Sequence, residues 1–291
     1  MEILQTQTRP GLSGTALKLA ACITMLIDHI GASCIEATYG VAYRTPPQIV
    51  QLDLVLRLIG RLAFPIFCFL LVEGFLHTHD VKKYIGRLFL FGLLSEVPFD
   101  MAFFKTPFHW GNQNVYWTLA LGVLAMAMLQ KSEDADGNAA WMGRLAALGC
   151  AVVAQLAGTD YGAIGVALIV ALYLTRNSRQ KQCILGAVLM LWEVTAPLAF
   201  VLLWFYNGER GRCPQWAKWA FYGFYPAHLT LLALVLNVLS AMGTVTMGNA
   251  LFGVLIVVSS PMVCSGYWAL SLFLWACLLM VSHSLVKKVL C

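Results

Sequence analysis

The stretch TALKLAACITMLIDHIGASCIE, residues Thr15–Glu36, decides the fold class. As a helix rising about 1.5 Å per residue, it is long enough to cross the ~30 Å hydrocarbon core of a bilayer. It is apolar apart from Lys18, Asp28, His29, Glu36 and a few small polar residues. Runs of the same character recur outward from it to Val286. Hydrophobic residues make up 60% of the 291 and charged residues 11%, against about 25% charged in a soluble domain. A water-soluble fold has no means of covering so much apolar surface. The runs are also too long and too uniform for β-barrel strands, which are about 10 residues and alternate. The expected fold is an all-α integral membrane protein, a polytopic bundle of about ten transmembrane helices.

The expected segments lie near Thr15–Glu36, Asp53–Thr78, Lys82–Phe104, Asn114–Gln130, Trp141–Ala157, Tyr161–Leu174, Cys183–Tyr206, Trp216–Ser240, Gly248–Ser259 and Val263–Val286. All should be helical, because lipid offers no partner to an open backbone. Residues 1–291 read as a single domain, with residues 1–14 a short polar leader. A cleaved signal peptide is not expected: Asp28 and His29 interrupt the first apolar run, and no small-residue cleavage site follows. The nine cysteines are scattered without a CxxC pair, so neither a disulfide framework nor a metal site is expected. The net charge of +5 sits in the connections between apolar runs and is no nucleic-acid signal. Lys82, Lys83 and Arg87, then Arg176, Arg179 and Lys181, then Lys287 and Lys288 fall on one side of a ten-span chain. Both termini are therefore expected in the cytoplasm. Glu209, Arg210, Arg212 and Lys218 would fall on the opposite side, which conflicts with that assignment.

Ionisable groups inside the spans carry the functional information, since each costs about 2.5–3.5 kcal/mol at mid-bilayer and faces protein or water. They are Asp28, His29, Arg57, Arg61, Glu73, Arg87, Glu96 and Glu193. At about 100° per residue, Lys18, Cys22, Met25, His29, Ala32, Ser33 and Glu36 form one polar or small stripe. That stripe should line a hydrated cavity. Asp28 lies on a neighbouring face and should anchor an arginine from another helix. Arg57 and Arg61, four residues apart, share a face and supply that partner. Pro65 should kink the second segment, the one way to bring Glu73 and Arg61 onto a common cavity. Arg57, Arg61, Asp28 and Glu96 serve equally well as register-fixing pairs or as ligand contacts. His29 favours the functional reading, because imidazole suits proton transfer near neutral pH. His77 and His79 should be solvated at a helix end. His109, His228 and His283 should be structural.

Ordered blocks extend these observations. Met25-Leu26-Ile27-Asp28-His29-Ile30-Gly31 opens them. Leu56-Arg57-Leu58-Ile59-Gly60-Arg61 with Pro65, then Glu73-Gly74-Phe75, form the second. Ser95-Glu96-Val97-Pro98-Phe99, Asn114 with Thr118, and Asp160-Tyr161-Gly162 follow. Tyr206-Asn207-Gly208-Glu209-Arg210-Gly211 and Phe224-Tyr225-Pro226-Ala227-His228-Leu229 close the series. Together they resemble the TraX family, named for an F-pilin acetylation protein, from about Leu17 to Leu229. The resemblance implies an acetyltransferase with acetyl-CoA as acyl-donor substrate. It also implies kinship with transmembrane acyltransferases that pass cytosolic acetyl groups to acceptors across the membrane. A membrane-embedded histidine is the key residue in that group, and His29 is the match.

On that reading His29 acts as general base or takes the acetyl group itself, and Asp28 with Arg57 or Arg61 orients it. Asn114 is the expected donor to the thioester carbonyl. Lys82, Lys83 and Arg87 supply positive charge for the phosphates of CoA. Glu73 and Glu96 contact substrate or pair structurally. No metal is required. The acceptor is a peptide N-terminus, a glycan or a lipid; the expected surroundings are the lipids of a bacterial inner (plasma) membrane, and an oligomer is left open. A transporter or flippase of a small anionic or lipid solute is the rival reading, since it would use the same intramembrane charges. An assembly subunit would leave the charge density unexplained.

Overall fold

The computed structural model describes residues 11–36, 47–133, 136–214 and 216–241. The expected segments Gly248–Ser259 and Val263–Val286, with His283, lie outside them. Every described regular element is helical. Helix α1 spans Gly14–His29 and continues as a π-helical turn over Ile30–Glu36. Then come α2 (Pro47–Gly60), α3 (Ala63–Leu76), α4 (Val81–Phe103), α5 (Val115–Glu133), α6 (Asn138–Leu156) and α7 (Gly162–Leu174). A broken stretch follows, made of α8 (Arg179–Leu189), two 3₁₀ turns (Leu191–Glu193 and Ala196–Leu198) and α9 (Ala199–Trp204). Helix α10 spans Ala217–Ala241.

The helix starts follow local chemistry. The Ser13 hydroxyl accepts from the Ala16 amide at 3.3 Å and caps α1. The Asp80 carboxylate accepts from the Lys83 amide at 2.9 Å and caps α4. That amide bond holds the exposed Asp80 carboxyl below the usual aspartate range. Ser178 caps α8 in the same way. Pro65 falls in the first turn of α3 rather than mid-helix, where its missing N–H leaves no bond unmade. The expected kink takes the form of a two-residue interruption at Arg61–Leu62, one turn before Pro65.

Helix α7 is apolar on every side and nearly every residue of it is buried, so it forms the core post. Helices α3, α5, α6 and α8 surround it. Helix α1 packs on α2 and α3, and α10 packs on α4. Among the described residues, Gly14–Glu36, Pro47–Leu76, Asn138–Leu156 and Ala217–Val238 are long and apolar enough to cross a membrane. Leu90, Leu93, Leu94, Leu145, Leu156, Leu231 and Leu234 point outward, as lipid-facing positions do. This is a membrane protein; the figure of about ten spans exceeds what the described helices establish.

The expected segment Cys183–Tyr206 is not one span. Pro197 offers no backbone donor, and Val194 takes a left-handed conformation at φ 49°. The chain turns back there. Gly186 of α8 packs against the Phe200 ring of α9 so closely that a Cβ would sit 2.2 Å from it. Gln182 at the start of this hairpin donates to the Leu172 carbonyl at 2.8 Å. At its far end the Leu12 amide donates to the Phe205 carbonyl at 2.8 Å, and the Gly14 amide to Glu209 at 2.8 Å. The hairpin thus enters and leaves at the same end of the bundle. Glu209, Arg210, Arg212 and Lys218 accordingly join Lys82, Lys83 and Arg87, and Arg176, Arg179 and Lys181, at one end. The charge conflict in the ten-span assignment came from counting this hairpin as a crossing.

Candidate active site

Among the described residues, besides a clip at Glu96, two arrangements of intramembrane ionisable groups stand apart. The first joins α1, α2 and the hairpin. Arg57 Nη1 lies 2.6 Å from Asp28 Oδ2, and Arg57 Nε lies 3.2 Å from Glu36. Asp28 is thus anchored by an arginine from the next helix, as its position on α1 requires. Gly60 allows the approach: a Cβ there would stand 2.1 Å from the Asp28 Cβ. Arg61 does not reach Asp28. The break after α2 turns it to Glu193, with Nε 2.9 Å from Oε2. Thr195 donates to the Leu58 carbonyl at 2.5 Å and fixes the tip of the hairpin against the same break. Asp160 follows α6 and Tyr161 lies in a left-handed turn at φ 62°, its ring stacked on Phe64 at 3.6 Å.

Glu96 and Asn114 form a clip between α4 and α5. The Asn114 amide donates to Glu96 and, at 2.9 Å, to the Gly92 carbonyl. Its oxygen accepts from the Tyr116 amide at 3.0 Å and caps α5. Trp117 Nε1 also donates to Glu96, at 2.8 Å. With both amide protons engaged, Asn114 has none to offer a thioester carbonyl; an asparagine just ahead of a helical run was readable as a cap.

The second arrangement centres on His29. Its Nδ1 lies 2.6 Å from Nε2 of His228 on α10. The two ring centres are 4.9 Å apart with planes within 15°, so the rings meet edge to edge along the line of this bond. His228 Nδ1 lies 2.7 Å from the Phe224 carbonyl. Phe103 and Tyr225 meet the His29 ring edge-on, at 5.3 and 5.7 Å. His228, assigned a structural role from sequence, is thus the direct partner of His29. Helix register alone hid this, because the residues are 199 positions apart.

A cavity of about 600 Å³ opens at the basic end of the bundle. Lys18, Arg87, Arg210 and Lys218 line it, with Glu73 and His77 at its rim. The Arg87 guanidinium lies over the Tyr84 and Tyr222 rings, at 5.6 and 6.0 Å. Its Nε is buried without a hydrogen-bond partner. Lys18 lies over the Phe221 ring at 5.6 Å. Tyr206 donates to Glu73 at 3.4 Å. Lys82 and Lys83 are exposed outside the cavity wall, and Lys83 pairs with Asp80 at 3.2 Å. The polar stripe on α1 enters this cavity only at Lys18; His29 is not in its wall. Tyr116 is, and Tyr225 packs edge-on to it at 5.3 Å. Two aromatic rings therefore separate the cavity from His29. Arg210 and Lys218 escaped the sequence reading because the hairpin was taken as a crossing.

A family model described as TraX protein matches residues 13–236, from the cap of α1 into α10. The chain belongs to the TraX family. The match takes in the His29–His228 pair, the Asp28–Arg57 and Arg61–Glu193 pairs, and the whole cavity wall. This TraX-family chain is 35% identical over 127 residues to the probable fimbrial assembly protein FimC, serogroup H1, of Dichelobacter nodosus. That alignment covers 39% of the chain and 45% of the relative, so the chain spans under half of that protein's length. No solved structure matches it.

Among the described residues, no cluster of histidine, cysteine and carboxylate side chains has the geometry of a metal site.

Proposed function

We propose that this protein is an acetyl-CoA-dependent acyltransferase embedded in the bacterial inner membrane. The donor occupies the basic cavity at the cytoplasmic end, and His29 mediates transfer to an amine or hydroxyl acceptor. The observation that carries the reading is the pairing of that cavity with a buried histidine two rings away. Lys18, Arg87, Arg210 and Lys218 outweigh Glu73, and their positive charge suits the phosphates of CoA. The volume lies within the usual 300–1,000 Å³ of cofactor sites. The Tyr84, Tyr206, Phe221 and Tyr222 rings suit an adenine face.

Asp28, held by Arg57, locks α1 in the register that presents His29. Lys82 and Lys83 act at a distance, drawing an anion to the mouth. The collection of basic residues at one end supports a cytoplasmic placement for that end. The relative's role in fimbrial assembly, together with the family, favours a peptide amine as acceptor. The test is consumption of acetyl-CoA by the purified protein in detergent, with candidate peptide, glycan and lipid acceptors. Release of free CoA that depends on His29 is expected; none with any acceptor would return the reading to an anion transporter.

A further inference from the structure

We infer that His228 is a positioning residue: it holds the His29 proton on Nδ1, leaves Nε2 as the reactive lone pair, and receives that proton during transfer. The inference rests on the acyl-transfer reading only for its last part. The tautomers follow from one fixed point. A carbonyl oxygen has no proton to give, so His228 Nδ1 must donate to the Phe224 carbonyl, at 2.7 Å. In a neutral His228, Nε2 is then the acceptor. His29 Nδ1 lies 2.6 Å from that nitrogen, along the line joining the two ring centres, and must be the donor. Neutral His29 therefore carries its proton on Nδ1 and an open pair on Nε2. One helix carbonyl thus sets the state of a ring on another helix through a chain of two hydrogen bonds.

The same chain provides a path for charge. When Nε2 of His29 bonds to the thioester carbonyl carbon, the carbon–sulfur bond breaks and CoA leaves as thiolate with the electron pair. The Nδ1 proton passes to Nε2 of His228, leaving a neutral acyl-imidazole beside a cationic His228 that still donates to Phe224. When the acceptor attacks, its bond to the acyl carbon replaces the one to Nε2. His228 returns its proton to Nδ1, and the acceptor's proton neutralises the thiolate. The handover is equally available if Nε2 instead takes the acceptor's proton directly.

The experiment is nitrogen NMR of the detergent-solubilised full chain with ¹⁵N-labelled histidine, the His29 signals being identified by their loss in His29→Gln. In the unaltered protein His29 should show the Nδ1-protonated pattern. His228→Ala should move it toward the Nε2-protonated form and lower transfer by about 10²-fold or more. His228→Gln offers an oxygen that accepts from Nδ1 but takes no proton, so the Nδ1 pattern should return with only part of the activity. An Nε2-protonated His29 in the unaltered protein, or a pattern indifferent to His228→Ala, overturns the inference; His29→Gln serves for identification once its melting and the other histidine signals match those of the unaltered protein. The expected spectra without any acetyl-CoA consumption would leave the tautomer control by His228 standing and remove the acyl-transfer reading.

Discussion

Replacing Tyr116 by Phe in two backgrounds tests how α10 tolerates a proline in its middle. Pro226 has no N–H, so the carbonyl four residues earlier, that of Tyr222, loses its helical donor. The Tyr116 hydroxyl supplies a substitute from α5, at 2.7 Å. Tyr116 is 7% exposed, so water does not readily replace it. Removing the hydroxyl strands a buried acceptor, which costs about 1–3 kcal/mol. In a Pro226→Ala background the backbone N–H returns, and the same Tyr116→Phe change should cost only a few tenths of that range, about 0–0.5 kcal/mol. The expected coupling is thus about 0.5–3 kcal/mol, against an error of about 0.3–0.5 kcal/mol for additive sites. The four proteins would be purified in detergent and unfolded by heat or denaturant, with melting followed by tryptophan fluorescence. Equal losses from Tyr116→Phe in both backgrounds would refute the account of Tyr116 as a replacement donor.

Further outcomes follow from the site. His29→Ala should lower acetyl-CoA-dependent transfer by about 10²–10⁴ in a protein that still melts cooperatively, destabilised by about 1–3 kcal/mol through the stranding of His228 Nε2, measured by CoA release and melting on the same sample; near-normal turnover would remove His29 from the chemistry. Arg61→Leu alone buries an unpaired Glu193 and should destabilise by about 3–5 kcal/mol, whereas the double change Arg61→Leu, Glu193→Leu should regain most of it. A double variant no more stable than the single one would show that the pair is not what holds the hairpin tip. Arg87→Ala and Lys218→Ala should raise KM for acetyl-CoA more than they lower kcat, and added salt should weaken donor binding less in each than in the parent. Parent-like KM and salt response would move the donor elsewhere. A membrane-impermeant maleimide should label Cys213 and a Lys83→Cys variant from one side, and a Trp110→Cys variant from the other; opposite sides for Cys213 and Lys83→Cys would refute the turned-back hairpin.

The apolar run lengths by themselves determined a helical membrane protein, because a backbone in lipid has no other way to satisfy its N–H and C=O groups. Charge inside those runs likewise marked Asp28, Arg57, Arg61, Glu96 and Glu193 as groups that must meet protein, and the arithmetic of helix faces separated Asp28 from His29. Partner choice was different. Arg57 and Arg61 are equivalent in sequence, yet one pairs with Asp28 and the other with Glu193, because Arg61 lies in the interruption between α2 and α3, where the hairpin packs. Pro197 marks a local interruption of the run, but the turning back of the hairpin at Leu191–Leu198 rests also on a left-handed Val194 and a tertiary ion pair, which sequence does not announce. It reverses the expected side of the loop that carries Arg210 and Lys218, and so decided that both line the cavity beside Lys18 and Arg87. The junction of His29 with His228 is of the same kind. Each sits on its own helix face for local reasons, and only the packing of α10 against α4 and the end of α1 sets the rings edge to edge. Sequence constrains what a side chain must avoid, since burial costs act residue by residue; which partner it finds depends on the relative placement of helices distant in the chain, and that only the tertiary structure decided.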